Sequence, residues 1–306
     1  MKKNKGNEFD YIRVLAEEGD AEAQMQFAMY FFMEDRKEYF FWIRKAAEQG
    51  NPEAQCELGD CFQWGWDLNE PDEQEALVWY RKSAEQGYSF AQCRIGTHYL
   101  DDATLDYEEA AKWLKLSAEQ GYHYAQMLLG SLYFDGNGVP KNYEEAAIWF
   151  RRSAEQGDSH AQYELGQCYE EGLGVQKDVT EAIKWYRQAA EQWEPESLVK
   201  MGDFYYEGRF VQRDEKEAVK WYRMLIEETG GNADVEKKMR ELYQNVESIP
   251  NRETDNEKMD YFKSVVDEMD YQFWKSGIEM DFNESSYEEQ SNMECRDFDF
   301  CNPDRL

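Results

Sequence analysis

The tripeptide Glu-Gln-Gly recurs at 48–50, 85–87, 119–121 and 155–157, and no other feature restricts the fold of this chain so tightly. Repetition at a period of 20–50 residues marks stacked supersecondary units. A second marker runs in phase with it: Trp42, Trp79, Trp113, Trp149, Trp185 and Trp221 are spaced by 37, 34, 36, 36 and 36 residues. A third is an Ala at Ala23, Ala54, Ala91, Ala125 and Ala161, replaced by Ser197 in the sixth copy. Three markers in register describe a helical repeat array.

Counting from that Ala, a Gly follows at +5 (Gly59, Gly96, Gly130, Gly166, Gly202; Ala28 in the first copy) and an aromatic at +8 (Phe31, Phe62, Tyr99, Tyr133, Tyr169, Tyr205). The Ala and positions +4, +5 and +8 share one side of a helix. Gly inside a helix costs roughly 1 kcal/mol relative to Ala, so its recurrence implies close approach of a neighbouring helix, with the aromatic filling the gap beside it. A loop follows, clearest at Gly136-Asn137-Gly138-Val139 and Gly172-Leu173-Gly174-Val175, and then an acidic turn opens a second helix at 142–145 or 178–181. The terminal Gly (Gly50, Gly87, Gly121, Gly157) sits where a left-handed residue stops that helix.

The stretches AQMLLGSLYFDGNGVPKNYEEAAIWFRRSAEQG from Ala125 and AQYELGQCYEEGLGVQKDVTEAIKWYRQAAEQ from Ala161 resemble the Sel-one-like repeat, a relative of the tetratricopeptide repeat. The resemblance covers about 10–245. It implies an all-α, right-handed solenoid of about six helix–loop–helix repeats, noncatalytic, holding partner proteins in a concave groove. Some copies depart from the pattern. Trp64-Gly65-Trp66 replaces the Gly-x-Gly loop in the second copy, 101–106 lacks its glycines, and the first loop shrinks to Glu34-Asp35-Arg36. The expected organisation is an N-terminal arm at 1–9, the solenoid at 10–245, a C-terminal amphipathic helix or cap at 246–276, and an acidic, weakly ordered tail at 277–306.

Lys and Arg number 34 against 65 Asp and Glu, a net charge of −31. Nucleic acid and anionic membrane both require cationic surface, so neither is expected as a ligand, whereas a basic protein or peptide segment is. Residues 1–5 are basic but 6–10 are not apolar, so no secretory leader is expected, and no apolar run is long enough to span a membrane. The six Cys do not recur in pairs per repeat; Cys56, Cys61, Cys93 and Cys168 occupy positions filled elsewhere by Leu, Met or Val, as small hydrophobes do. Free thiols and a cytoplasmic location are the expectation.

Catalytic chemistry finds little support. His98 occupies the position of Leu132 and Cys168, and His123 and His160 flank inter-repeat turns without ligand-like spacing. Acid beside the Gly-x-Gly loops (Asp135, Glu170, Glu171) would repel phosphate. No catalytic residue, metal site or cofactor is expected.

Positions −1, +2, +6, +9 and +10 lie opposite the packed side of the first helix, the side that lines the groove if the resemblance holds. They read as carboxylates mixed with aromatics, with no Lys or Arg. The expected electrostatic contacts are Asp101, Asp135, Glu170, Glu171, Asp203 and Glu207, with Tyr124, Phe134 and Tyr206 as apolar anchors. The alternative is that these aromatics pack on neighbouring helices and the acids are merely solvated.

Beyond the repeats, 234–246 reads as a closing helix. Residues 251–306 hold 16 acidic and 6 basic side chains. Within them 255–275 has a capping-box start and helical apolar spacing through Met259, Phe262, Val266, Met269 and Phe273. Two functional classes follow: a scaffold or inhibitor that binds a basic partner, an immunity or antitoxin-like role being one form of it, or an assembly or regulatory adaptor that recruits through the acidic tail. Oligomeric state is left open.

Overall fold

The computed structural model describes residues 5–66, 70–229, 234–235, 237–239 and 241–242, with side chains from residue 9 onward. The expected amphipathic helix at 255–275, the domains from 246 on, and the end of the closing helix lie outside these residues. Among the described residues there is no strand, and thirteen helices follow one another. They are α1 (Lys5–Glu18), α2 (Ala21–Met29), α3 (Arg36–Glu48), α4 (Pro52–Gln63), α5 (Glu73–Glu85), α6 (Ser89–His98), α7 (Tyr107–Glu119), α8 (His123–Asp135), α9 (Tyr143–Ala154), α10 (Ser159–Glu171), α11 (Val179–Glu191), α12 (Pro195–Glu207) and α13 (Glu215–Thr229). The chain divides into two compact units, 1–197 and 198–306.

Within the first unit the helices pack as hairpins in series, α2 on α3, α4 on α5, and so on to α10 on α11, each second helix up to α9 also meeting the first helix of the next hairpin. The sequence predicts six pairs, and an unpredicted helix precedes them. α1 begins inside the expected arm and behaves as a second helix: Gly19 has a positive φ like Gly50, and the Ala16 carbonyl accepts from Gln24 as that of Ala47 does from Gln55. It has no first helix of its own before it among the described residues. Tyr11, 31 residues ahead of Trp42, is accordingly 65% exposed, whereas Trp42 is buried.

Helix boundaries follow local chemistry. Asp35, Asp72, Asp106, Asn142 and Asp178 each occupy an N-cap outside the helical backbone region, their side-chain oxygens accepting the orphan N–H groups of the first turn. The N–H of Asp72, Asp106, Asn142 and Asp178 donates to the carbonyl of Phe62, Tyr99, Tyr133 and Tyr169 respectively. The backbone of the +8 residue thus anchors the loop, while the rings of Phe62, Tyr99, Tyr133 and Tyr169 pack against the core clusters. The space above Gly59, Gly96, Gly130 and Gly166 is filled from the second helix, by Tyr80, Leu114, Phe150 and Tyr186, the residues that follow the repeat Trp. Gly50, Gly87, Gly121 and Gly157 have φ between +93° and +99°, as helix stops require. At Gly174 a Cβ would fall on the carbonyl of Tyr143, so this loop lies directly on the preceding hairpin.

The repeated Gln explains itself in three dimensions. Gln24, Gln55, Gln92, Gln126 and Gln162 are buried, and each Nε2 donates to the carbonyl of Ala16, Ala47, Ala84, Ala118 or Ala154 on the preceding second helix. Each Oε1 accepts from the Gln of the hairpin's own closing turn, Gln49, Gln86, Gln120, Gln156 or Gln192, at 2.7–2.8 Å. One buried amide therefore joins three successive helices with its polar atoms satisfied. The repeat Ala and the repeat Trp supply much of the apolar remainder of the core, Ala54, Ala91, Ala125 and Ala161 being fully buried.

In the second unit, Tyr222 of α13 fills the space above Gly202, and helical residues at 234–235, 237–239 and 241–242 follow. Val235, Met239 and Leu242 among them are buried.

Candidate functional site

The open side of the first helices is read most directly from α10. Ala161, Gln162, Leu165, Gly166 and Cys168 are buried, while His160, Tyr163, Glu164, Gln167, Glu170 and Glu171 are half-exposed or exposed. In α10 that stripe contains −1, +2, +6, +9 and +10, and also +3, which was not expected there. In the other copies of the first unit +2 is buried, as Met25, Cys56, Cys93 and Met127, so it does not belong to the open face there. Position +3 carries Gln26, Glu57, Arg94, Leu128 and Glu164 in the first unit and Lys200 in the second. The five positions of the expected face carry no Lys or Arg, and +3 adds Arg94 in the first unit. No repeat-wide identity marks +3, so comparison of copies does not single it out.

Arg94 acts inward. Asp60 is 2% exposed, accepts from the Tyr80 hydroxyl at 2.6 Å and lies 3.1 Å from Nε of Arg94. Glu57, also buried, accepts from the Tyr39 hydroxyl. Burial, reinforced by Asp60, pushes the Tyr80 phenol well above its ordinary value, so it stays a donor. The acid of the second repeat is thereby compensated within the fold.

The side chain above each Gly predicts where such compensation occurs. Tyr80 pairs with Asp60 at +6, while Leu114 and Phe150 face helices with Thr97 and Ser131 there. Tyr186, opposite Gln167, reaches Glu170 instead, at 2.8 Å. In the second unit Tyr222 donates to Asp203 at 2.5 Å. A hydroxyl on the second helix thus goes with a carboxylate on the first, a correlation present in the sequence and missed there.

The expected site residues consequently differ in standing. Asp135 and Glu171 are exposed at the last residues of α8 and α10. Asp101 is exposed and caps its own turn, accepting from the Ala103 N–H at 2.9 Å. Glu170 holds Tyr186. Phe134 turns onto α9, its ring 5.1 Å from Tyr143 and 6.2 Å from Phe150, and Tyr124 is half-buried against two core clusters. In the second unit Asp203 also takes Lys238 at 2.6 Å, Tyr206 donates to Glu241 at 2.8 Å, and Glu207 pairs with Arg209 at 3.4 Å.

Around α10 the acids are not so compensated. Burial raises the Glu164 carboxyl, and Asp135, Glu194 and Glu196 raise it further, with His160 opposing. Burial likewise raises Glu196, with a contribution from Glu194. His160 lies 3.3 Å from Glu194 and 3.8 Å from Glu164, and its hydrogen bond to Glu194 raises it against the effect of burial. Tyr163 is pushed up to about 12, by burial first and then by Glu164, Glu196, Glu170 and Glu194. Carboxylates from α8, α10 and the start of α12 thus converge on one place, with His160 as the titratable cation in contact.

These shifts have one sign. The folded state binds more protons than the unfolded state between each group's ordinary and raised values, so stability falls as pH rises through those intervals. The His160 contribution is complete below the ordinary imidazole value and lost above the raised one, and Glu164 and Glu196 act in the same direction at lower pH. Glu164→Gln, which removes charge and keeps shape, is expected to raise the melting temperature near pH 8 and change it little near pH 4. Equal effects at both would contradict this assignment.

Cys56, Cys61, Cys93 and Cys168 are buried free thiols, and burial pushes Cys93 and Cys168 up to about 12. Among the described residues no three His, Cys, Asp or Glu side chains are grouped to hold a metal, and no helix is long and apolar enough to cross a membrane.

Comparison with known proteins follows this geometry. The Sel1 repeat model matches six segments, 40–51, 52–88, 89–122, 123–158, 159–192 and 195–228. A Sel1 repeat protein from Oxalobacter formigenes is 33% identical with a TM-score of 0.62, the match covering 68% of this chain and 88% of that one. A protective antigen of uropathogenic Escherichia coli is 29% identical with a TM-score of 0.71 over 80% of this chain, which spans 53% of that protein's length. An immunity protein from Pseudomonas aeruginosa is 23% identical over 68% of this chain and 81% of its own, with a TM-score of 0.44, a superposition too loose to bear on function. No curated protein sequence matches. With more than half of its residues inside six matched repeats, this chain belongs to the Sel1 repeat family.

Proposed function

We propose that the protein is a noncatalytic scaffold or inhibitor whose first-helix face in the first unit holds a basic segment of a partner protein. Sel1 repeat proteins generally serve as noncatalytic protein-interaction scaffolds. The observation that carries the finer reading is the exposed carboxylate of Asp135 at the end of α8, acting on the half-buried Glu164 of α10, an acidic surface that a Lys or Arg of the partner would complement. The exposed Glu171 extends the same face. Buried free thiols fit a reducing compartment, and a cytoplasmic location is part of the same proposal.

A short labelled Lys/Arg-rich peptide tests it against a Glu-rich peptide of equal length, with salt titrated. The basic peptide is expected to bind and to lose affinity steeply with salt, since contacts between exposed charges are screened beyond a Debye length of about 8 Å at physiological ionic strength. Equal binding of both peptides, or no binding of either, would remove the reading.

A further inference from the structure

The same repeat position changes character along the first unit. Position +10 reads Met33, Trp64, Asp101, Asp135 and Glu171. Met33 is 82% exposed and Trp64 38%, high values for large apolar side chains that burial would stabilise. Their near neighbours in the chain, Phe32 and Trp66, pack with ring centroids 5.5 Å apart, and the Arg36 guanidinium lies 5.6 Å from the Trp66 ring. These residues adjoin the second repeat, where Asp60 and Glu57 are already satisfied by Tyr80, Arg94 and Tyr39. One end of the row is thus apolar, with the buried Asp60 and Glu57 already paired, and the other end is acidic and exposed.

We propose that the Met33–Trp64 surface takes an aliphatic or aromatic anchor carried by the same basic segment whose Lys or Arg side chains lie along Asp135 and Glu171. The inference rests on the proposed function and adds a register to it. Charge selects the occupant: a basic residue gains most at the fourth and fifth repeats, and an uncharged side chain loses least at the first two. Anchor and cations fall in different repeats, so the stretch of the segment between them is extended, advancing about 3.3–3.6 Å per residue.

Two peptides of one length separate the possibilities. Both carry the same Lys/Arg stretch; one has Leu-Phe beyond it, at each of several spacings, and the other has Ser-Ser there. The anchored peptide is expected to dissociate roughly tenfold more slowly from the intact protein, as aromatic anchors act mainly on dissociation. Trp64→Ala is expected to abolish that difference while leaving binding of the Ser-Ser peptide unchanged. Met33→Ser, at a side chain too exposed to matter for folding, should reduce the difference in the same direction. If both peptides bind alike and neither substitution acts, the anchor site is overturned while the basic-segment reading stands. If neither peptide binds, both fail.

Discussion

Gly130→Leu and Gly166→Leu are expected to destabilise the protein more than any surface change, although Leu is the better helix former. A Cβ at residue 130 would lie 2.6 Å from Cδ1 of Phe150, and one at residue 166 would lie 2.7 Å from Cε1 of Tyr186, both rings being fully buried. The propensity gain of about 1 kcal/mol is set against overpacking of about 1–3 kcal/mol for a few added carbons. Overpacking wins because a planar buried ring cannot swing aside. Even Gly130→Ala should lower the melting temperature. Coupling identifies the cause: Gly130→Ala combined with Phe150→Ala should cost clearly less than the two losses added, because each relieves the other. Gly157→Ala is a useful contrast. Its φ is +99° and no atom would lie within 4 Å of the new Cβ, so its loss should be conformational and indifferent to any neighbour. An unchanged melting temperature in both Leu variants would mean that these helices do not meet as described.

The repeats were legible because each marker has a local physical cause that recurs. An acidic N-cap, a Gly that stops a helix and a Trp on the apolar stripe need no knowledge of the rest of the molecule. Other features needed partners from separate segments. The Gln of Glu-Gln-Gly is visible as a marker, yet its role depends on the buried Gln after the repeat Ala, 25–31 positions earlier in the chain. Phe134 could be placed on the open face by helical phase alone, but its ring lies against Tyr143 and Phe150 of the following helix. Asp203 and Glu170 looked available for a partner because their tyrosines are distant in sequence. Position +3 escaped because Gln26, Glu57, Arg94, Leu128 and Glu164 follow no single size or charge from copy to copy.

Those distinctions decide which acids to reverse, and the expected result is large. Asp135→Lys combined with Glu171→Lys should slow association of the basic peptide by about 10–100-fold at low salt, by removing attraction and adding repulsion along its approach. Near 1 M salt, where the Debye length is about 3 Å, the variant and the original protein should associate at similar rates. Stability supplies an independent check. Both side chains are exposed, and Asp135 is among the groups that raise Glu164, so its reversal should leave the melting temperature unchanged or slightly higher near neutral pH. Glu170→Lys belongs to a different class. It removes a carboxylate acceptor of the buried Tyr186 hydroxyl, and a hydrogen bond to a charged group contributes about 1.5–3 kcal/mol. Slower binding in that variant would therefore be confounded with damage to the hairpin, whereas in the double reversal it would not. If the double reversal leaves low-salt association unchanged while the fold is intact, the peptide docks on another surface. The convergence of acid at α10 would then be only a cost in stability that the array tolerates.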